Sequence, residues 1–335
     1  MRILFMGTPE FAKASLKALV EAGHEICGVF TQPDKPKNRG HKLAPPPVKE
    51  YALSKGLPVF QPPTLRDPAA LDAVRGLSPD LIVVAAYGKI LPEALLQIPA
   101  YGCVNVHSSL LPAYRGAAPI NWAIINGETR TGVTIMYMAK ELDAGDIILQ
   151  KSVEIGADED AQALTARLAE LGAAALLKAV AAFEAGGAPR FAQDPERVTY
   201  APMLSRELSP VDWSLSAHEI NCRIRGLLPW PCATTDAIGG ETVKLYASVE
   251  TGEKTAFPAG IVTDTGKNGI GIACGDGTIL RITELQAQGK KRMSAASYLL
   301  GHPVPVGETF ISACGGIRPT NTPDVPIVNG ENSVK

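Results

Sequence analysis

Apolar and polar positions change period along this chain, and each change marks an element. Ile3 to Met6 is an unbroken apolar run of strand length. Gly7-Thr8-Pro9-Glu10 turns the chain, and Phe11, Leu16, Leu19 and Val20 then recur at helical spacing until Gly23 stops them. Glu25 to Phe30 returns to a strand pattern. Strand, helix and strand in such a short stretch make a βαβ unit, which requires a parallel sheet. Pro79 to Gly88 is continuously apolar, as a central parallel strand covered on both faces must be. Residues 132–138 and 146–155 supply two more strands. Leu164, Leu168, Leu171, Leu177, Val180 and Phe183 then place a long helix between Asp160 and Phe183, ended by Gly186-Gly187.

The second half reads differently. Gln193 to Pro210 is polar and marked by prolines, as a linker is, and Glu219 to Leu227 forms a short helix. Thr242 to Val249, Gly260 to Thr263, Gly269 to Ala273 and Thr278 to Glu284 are short and β-branched, with turn signals at Asn268-Gly269 and Asp276-Gly277. Strands at this spacing suggest a small β-barrel. Ser294 is placed to cap a last helix. From Gly315 onward Pro, Asn and Gly dominate, predicting a disordered tail over 313–335. The expected organisation is α/β: a Rossmann-like, mostly parallel domain over 1–189, a linker over 190–208 and a small β-barrel domain over 209–312.

Composition narrows the partners. A length of 335 residues with 46% hydrophobic and 20% charged content fits two globular domains with sizeable cores. The formal net charge of −2 gives no global field for nucleic acid, so such a contact must use local basic patches. There are two. Lys35, Lys37, Arg39 and Lys42 lie among Pro33, Pro36 and Pro45-Pro46-Pro47, and Lys290-Lys291-Arg292 follows the last strand. Each is a solvated face or a phosphate contact. Six cysteines show no C-x-x-C spacing, which indicates neither zinc nor a disulfide framework and fits reduced cytosolic thiols. Gly7 alone is no dinucleotide fingerprint. Met1 to Gly7 is too short, and too soon followed by Pro9, for a signal peptide, and no apolar run reaches membrane-spanning length.

Candidate chemistry gathers at Cys103 to Pro119. Strand alternation points Asn105 and His107 one way and Val104 and Val106 the other. Pro112 and Arg115-Gly116 then force a loop. An amide and an imidazole at a strand end is where α/β enzymes place chemistry. A hydrogen-bonded core histidine is the plainer reading. Two polar groups on one buried face nevertheless need partners, since an unpaired one costs about 1–3 kcal/mol, and a substrate carbonyl would serve. Asp143, in Glu141-Leu-Asp-Ala-Gly-Asp146, leaves a neighbouring strand within reach of His107. Ser109 as nucleophile lacks a G-x-S-x-G elbow and lies only two residues from His107.

Asn105-Val-His107-Ser-Ser-Leu-Leu-Pro112-Ala-Tyr-Arg115-Gly116-Ala-Ala-Pro119, together with the Asp143 motif, resembles the formyltransferase family that uses 10-formyltetrahydrofolate; the likeness to its tRNA-directed members runs from Met1 to about residue 312. The resemblance implies formyl transfer to the α-amine of methionine on initiator methionyl-tRNA, by a cytoplasmic monomer that needs no metal. It makes Asn105, His107 and Asp143 the catalytic set. Asn105 and His107 would donate to the developing oxyanion, and His107 would pass a proton to the leaving folate nitrogen. Asp143 would fix the imidazole tautomer and accept a proton from the amine. It also implies a folate pocket lined by Tyr87, Gly88, Ile90 and Leu91, with Ser108, Ser109, Leu110, Leu111 and Pro112. Lys35, Lys37, Arg39, Lys42, Arg115, Lys290, Lys291 and Arg292 become tRNA contacts, and the β-barrel becomes OB-like. The alternatives are a small-amine acceptor (glycinamide ribonucleotide or a sugar-nucleotide amine), or an RNA-binding protein without activity. The first of those small-amine enzymes typically lacks the 190–312 region and the basic loop.

Overall fold

The computed structural model describes residues 1–37, 42–236 and 240–310, with backbone alone at Lys37 and Lys42. The chain forms β1 (Arg2–Gly7), α1 (Glu10–Glu21) and β2 (Glu25–Phe30), then a ribbon of β3 (Lys35–Lys37) and β4 (Lys42–Ala44). After it come α2 (Pro47–Ser54), β5 (Val59–Phe60), α3 (Pro68–Leu77) and β6 (Leu81–Ala85). Next are α4 (Glu93–Leu96), β7 (Cys103–His107), β8 (Arg115–Gly116), α5 (Pro119–Ile125), β9 (Arg130–Tyr137), β10 (Ile147–Glu154) and α6 (Ala161–Glu184).

Seven strands make one sheet in the order β10-β9-β7-β6-β1-β2-β5, in which β9 alone runs opposite to the rest and so pairs antiparallel with both β7 and β10. Ile3 and Phe5 pack with α1 and α6 on one face, while Leu4 and Met6 pack with Val74 and Ile82 on the other. Burial on both faces explains why these strands read as unbroken apolar runs. Asp160 starts α6 by accepting from the backbone of Gln162 and Ala163 at 2.9 and 2.8 Å, a cap worth about 1 kcal/mol. From β1 the chain works outward to β2 and β5, then crosses back to β6 and β7. The strand order therefore reverses between β1 and β6, and the carboxyl ends there flank a crevice.

The proline-marked Thr31–Pro47 stretch, which holds the first basic patch, carries the β3–β4 ribbon, with Lys35 opposite Ala44 and Lys37 opposite Lys42. Pro36 restricts both itself and Lys35 to extended backbone, which favours the ribbon. Arg39 lies outside the described residues, as does the expected disordered tail.

The C-terminal half follows with β11 (Tyr200–Ala201), α7 (Ala217–Gly226), β12 (Ala233–Asp236), β13 (Thr242–Lys254) and β14 (Val262–Gly266). It ends with β15 (Gly269–Ala273), β16 (Thr278–Ala287), β17 (Met293–Ser294) and α8 (Ala295–Gly301). The antiparallel path is β12-β13-β16-β15-β14, with β17 beside β16. Sequence reading found four of these strands and missed the short β12 and β17. It also ended β13 at Val249, whereas the polar run to Lys254 stays paired with β16. Ser216 and Glu219 form a reciprocal capping box on α7. Ser294 accepts from Ser297 N at 3.1 Å and caps α8.

The stretch read as a linker is woven into the first domain. Ile147 and Phe191 form a bridge, and β11 runs parallel to β8, with Tyr200 opposite Arg115. Trp122 is buried at the seam: its indole donates to Pro202 O at 2.8 Å, and it packs in one cluster with Leu208, Ile220 and Ile224. Apolar faces that meet across such a seam cannot be assigned from a one-dimensional pattern.

Candidate active site

A cleft of about 620 Å³ opens at the carboxyl ends of β6 and β7, where the topology reverses. Val84, Leu91, Val106, Met136 and Met138 contribute its apolar walls, and Asn105, His107 and Asp143 line it together. The spacing of Asn105 and His107 on one strand face comes directly from the sequence. Asp143 arrives from the loop after β9, because β9 pairs with β7 and sets Met136 opposite Asn105.

His107 is buried, with its side chain 6% exposed. Its Nε2 lies 2.9 Å from Tyr114 O. A carbonyl only accepts, so Nε2 carries the proton and Nδ1 is the nitrogen turned toward the cleft acid. Nδ1 stands 3.7 Å from Asp143 Oδ2, an ion-pair distance beyond a normal hydrogen bond. Asp143 was expected to fix the imidazole tautomer; here the Tyr114 carbonyl does so. Tyr114 is pinned in turn, its N–H donating to Thr199 Oγ1 at 2.9 Å and its hydroxyl to Glu128 Oε1 at 2.7 Å.

Asp143 is held from two sides. Gly116 N–H donates to its Oδ2 at 2.9 Å, and its carbonyl accepts from Gln193 Nε2 at 2.8 Å. Ala86, Tyr114 and Asp143 have φ of +42°, +60° and +48°, three of the five non-glycine residues with positive φ among those described. Such conformations cost roughly 1–3 kcal/mol each and persist at sites whose surroundings enforce them. Gly116, at φ +121°, has no room for a side chain: a Cβ would lie 2.7 Å from Ala201 O.

The expected folate-pocket residues divide. Gly88, Ile90, Leu91 and Ser108 line the cleft, as does Tyr87. Tyr87 is nonetheless buried, its hydroxyl has no hydrogen-bond partner, and desolvation pushes its pKa up to about 12. Gln32 Nε2 donates to Tyr87 O and Gly88 O, each at 3.1 Å, and fixes the loop backbone. Lys89 donates to Pro62 O and Pro63 O on the same loop's outer side, and burial lowers its pKa. Ser109, Leu110, Leu111 and Pro112 do not reach the cleft, because the chain dives beneath β9 after Ser108. Ser109 Oγ donates to Ala113 O at 2.6 Å, Leu111 N to Thr134 Oγ1 at 3.1 Å, and Gln150 Nε2 to Leu111 O at 2.8 Å.

Among the basic candidates, Lys35, Lys290 and Lys291 are exposed. Arg292 is engaged, bonded to Glu284 and lying 4.8 Å from the Tyr246 ring centre. Arg115 turns from the cleft and donates to Gln193 Oε1 from Nε at 3.1 Å and Nη2 at 2.7 Å. Phe11, Asn121, Met136, Met138 and Thr165 also line the cleft and were missed. The alternation of β9 does fix the face of Met136, but only its register with β7 turns that face to Asn105. The described residues contain no group of three or more His, Cys, Asp or Glu able to hold a metal ion, and no helix long and apolar enough to cross a membrane.

Comparison with known proteins identifies the family. The methionyl-tRNA formyltransferase of Trichlorobacter lovleyi is 52% identical over 306 residues, spanning 91% of this chain and 96% of that protein. That of Alkaliphilus oremlandii is 50% identical over 307 residues, spanning 92% and 98%. Among solved structures, an N-formyltransferase from Helicobacter canadensis in complex with folinic acid and dTDP-3-aminofucose matches with a TM-score of 0.66 at 18% identity, over 85% of this chain and 98% of its own. Residues 1–180 match the formyl transferase family and residues 203–303 the formyl transferase C-terminal domain, so the cleft and the β domain beside it come in that family's order, and the chain belongs to the formyl transferases.

Proposed function

We propose that this chain transfers the formyl group of 10-formyltetrahydrofolate to the α-amine of methionine on initiator methionyl-tRNA, for initiation of protein synthesis. The observation that carries the acceptor is the 52% identity, over 91% of the chain, to a methionyl-tRNA formyltransferase, against 18% to the enzyme solved with an amino-sugar nucleotide. The five cysteines among the described residues are free and buried, which suits work in the reducing cytoplasm.

The cleft fits the folate donor. Its apolar walls suit a flat ring, and the 86–91 loop offers backbone groups at the edge. The donor supplies an activated formyl carbon. The acceptor amine is partly neutral near pH 7–8 and brings its own nucleophile. Ser109, fully buried and bonded to Ala113 O, is not placed to replace it.

The residues then divide the work. Asn105 points its amide into the cleft and donates to the formyl oxygen as negative charge develops there. His107 keeps its Nε2 proton on Tyr114 O, so Nδ1, when protonated, donates to that oxygen or to the leaving nitrogen. Asp143 spends one carboxylate oxygen on Gly116 N–H and keeps the other to take a proton from the attacking amine. Lys35, Lys37 and Lys42 on the ribbon, Arg39 in the same basic stretch of the sequence, and Lys290, Lys291 and Arg292 on the C-terminal domain contact tRNA phosphates.

The test offers purified protein the folate donor with charged initiator tRNA, glycinamide ribonucleotide or an amino-sugar nucleotide, and follows tetrahydrofolate release. Release with the charged tRNA alone supports the reading. Release only with a small amine removes tRNA as the acceptor, and no release with any acceptor removes the enzymatic reading.

A further inference from the structure

We propose that Gln193 is a positioning residue for the reaction, locking the loop that carries Asp143; this rests on the role given to Asp143 above. Gln193 lies outside the cleft, on the stretch between the two domains. Its amide is fully used. Oε1 accepts from Arg115 Nε and Nη2, and Nε2 donates to Asp143 O and Gly145 O, both at 2.8 Å. A guanidinium only donates and carbonyls only accept, so the amide has one orientation here. No other uncharged side chain supplies two donors and an acceptor at this size.

These bonds join the two pieces of backbone that hold the catalytic carboxylate. Arg115 belongs to β8, and the next residue, Gly116, donates its N–H to Asp143 Oδ2. Asp143 and Gly145 belong to the facing loop. That loop is tightly built: Asp143 sits at φ +48°, and a Cβ on Gly145 would fall 1.8 Å from Tyr137 O. Gln193 therefore sets the spacing between the amide that binds the carboxylate and the backbone that presents it. It touches no reacting atom and acts through Asp143.

The test compares wild type, Gln193→Leu, Gln193→Glu, Asp143→Asn and the Gln193→Leu/Asp143→Asn double variant. Formyl transfer to charged tRNA is followed together with hydrogen exchange of the 139–147 segment. Gln193→Leu should lower kcat about 10- to 100-fold and leave both KM values within about threefold. The double variant should be no slower than Asp143→Asn, because both changes disable one device. Gln193→Glu keeps the shape and the Arg115 contact but sets a carboxylate against two carbonyls. Its activity relative to wild type should rise as pH falls toward about 5, where the carboxyl regains a proton to donate. Exchange over 139–147 should quicken in Gln193→Leu, while α6 stays protected.

Full kcat in Gln193→Leu, losses that multiply in the double variant, or unchanged loop exchange would each overturn the role of Gln193. If wild type releases no tetrahydrofolate with charged tRNA, the functional reading falls on that result. Loop exchange then separately supports or overturns the Gln193 lock.

Discussion

Replacing Gly116 with alanine should damage the fold and the chemistry by separate routes. At φ +121° the residue occupies backbone territory left almost wholly to glycine, so any side chain strains it by roughly 1–3 kcal/mol. The new methyl would meet Ala201 O at 2.7 Å and Ala201 C at 3.3 Å. That carbonyl already accepts from Ala117 N at 2.9 Å and Ala118 N at 3.3 Å, so it cannot retreat without weakening bonds worth about 1 kcal/mol each. Together the terms come to about 2–4 kcal/mol. For a domain of this size that lowers Tm by roughly 5–15 °C. Gly116 also gives its N–H to Asp143 Oδ2, and moving that donor by about 1 Å should cost on the order of 100-fold in kcat. A thermal melt paired with formyl transfer at 25 °C, well below the transition, separates the two effects. A Tm within about 2 °C of wild type with full turnover would refute both the close approach of β8 to β11 and its tie to the carboxylate.

Other outcomes are open to direct measurement. In the C-terminal domain the Arg281 guanidinium beside Asp264 holds its carboxyl below the ordinary 3.8. A carboxyl with a depressed folded pKa stabilises fully above its ordinary pKa and loses that contribution as pH falls through the folded value. Asp264 is partly exposed, so Asp264→Asn should cost no more than about 1 kcal/mol near pH 7. Urea melts of the two proteins should converge as pH falls from the ordinary 3.8 through the depressed folded pKa, and a gap that widens with acid contradicts the pairing. Arg39→Ala, Lys290→Ala and Lys291→Ala should each weaken use of the tRNA. Each should also reduce the slope of log affinity against log salt by about 1, as measured by filter binding at several salt concentrations. Arg292→Ala should in addition lower stability, since it abandons Glu284 and the Tyr246 ring.

Much of the first sheet was legible because its strands are buried on both faces and its helices on one, and each leaves its own period in the sequence. The Asn105–His107 pair was legible for a related reason: strand alternation fixes relative direction without any tertiary knowledge. What escaped depends on contacts between distant segments. Tyr114 O, rather than Asp143, orients His107, and only the backbone at φ +60° brings that carbonyl to the ring. Ser109 to Pro112 were placed at the pocket because they belong to the motif, but the chain turns under β9 and spends their polar groups on Ala113, Thr134 and Gln150. Gln193 carries no motif and sits in what reads as polar linker, yet it binds both halves of the Asp143 support. The β12 strand, Ala233-Thr-Thr-Asp236, is too short and too polar to announce itself and forms because β13 offers it an edge.

The most direct test is single-turnover formyl transfer to charged initiator tRNA by wild type and His107→Ala at saturating donor. If His107 donates to the developing oxyanion and the leaving nitrogen, its loss should slow the chemical step about 100- to 1,000-fold, with folate and tRNA affinities held within about threefold. A His107→Ala rate within about threefold of wild type would contradict that role and leave the imidazole as a buried partner of Tyr114 alone.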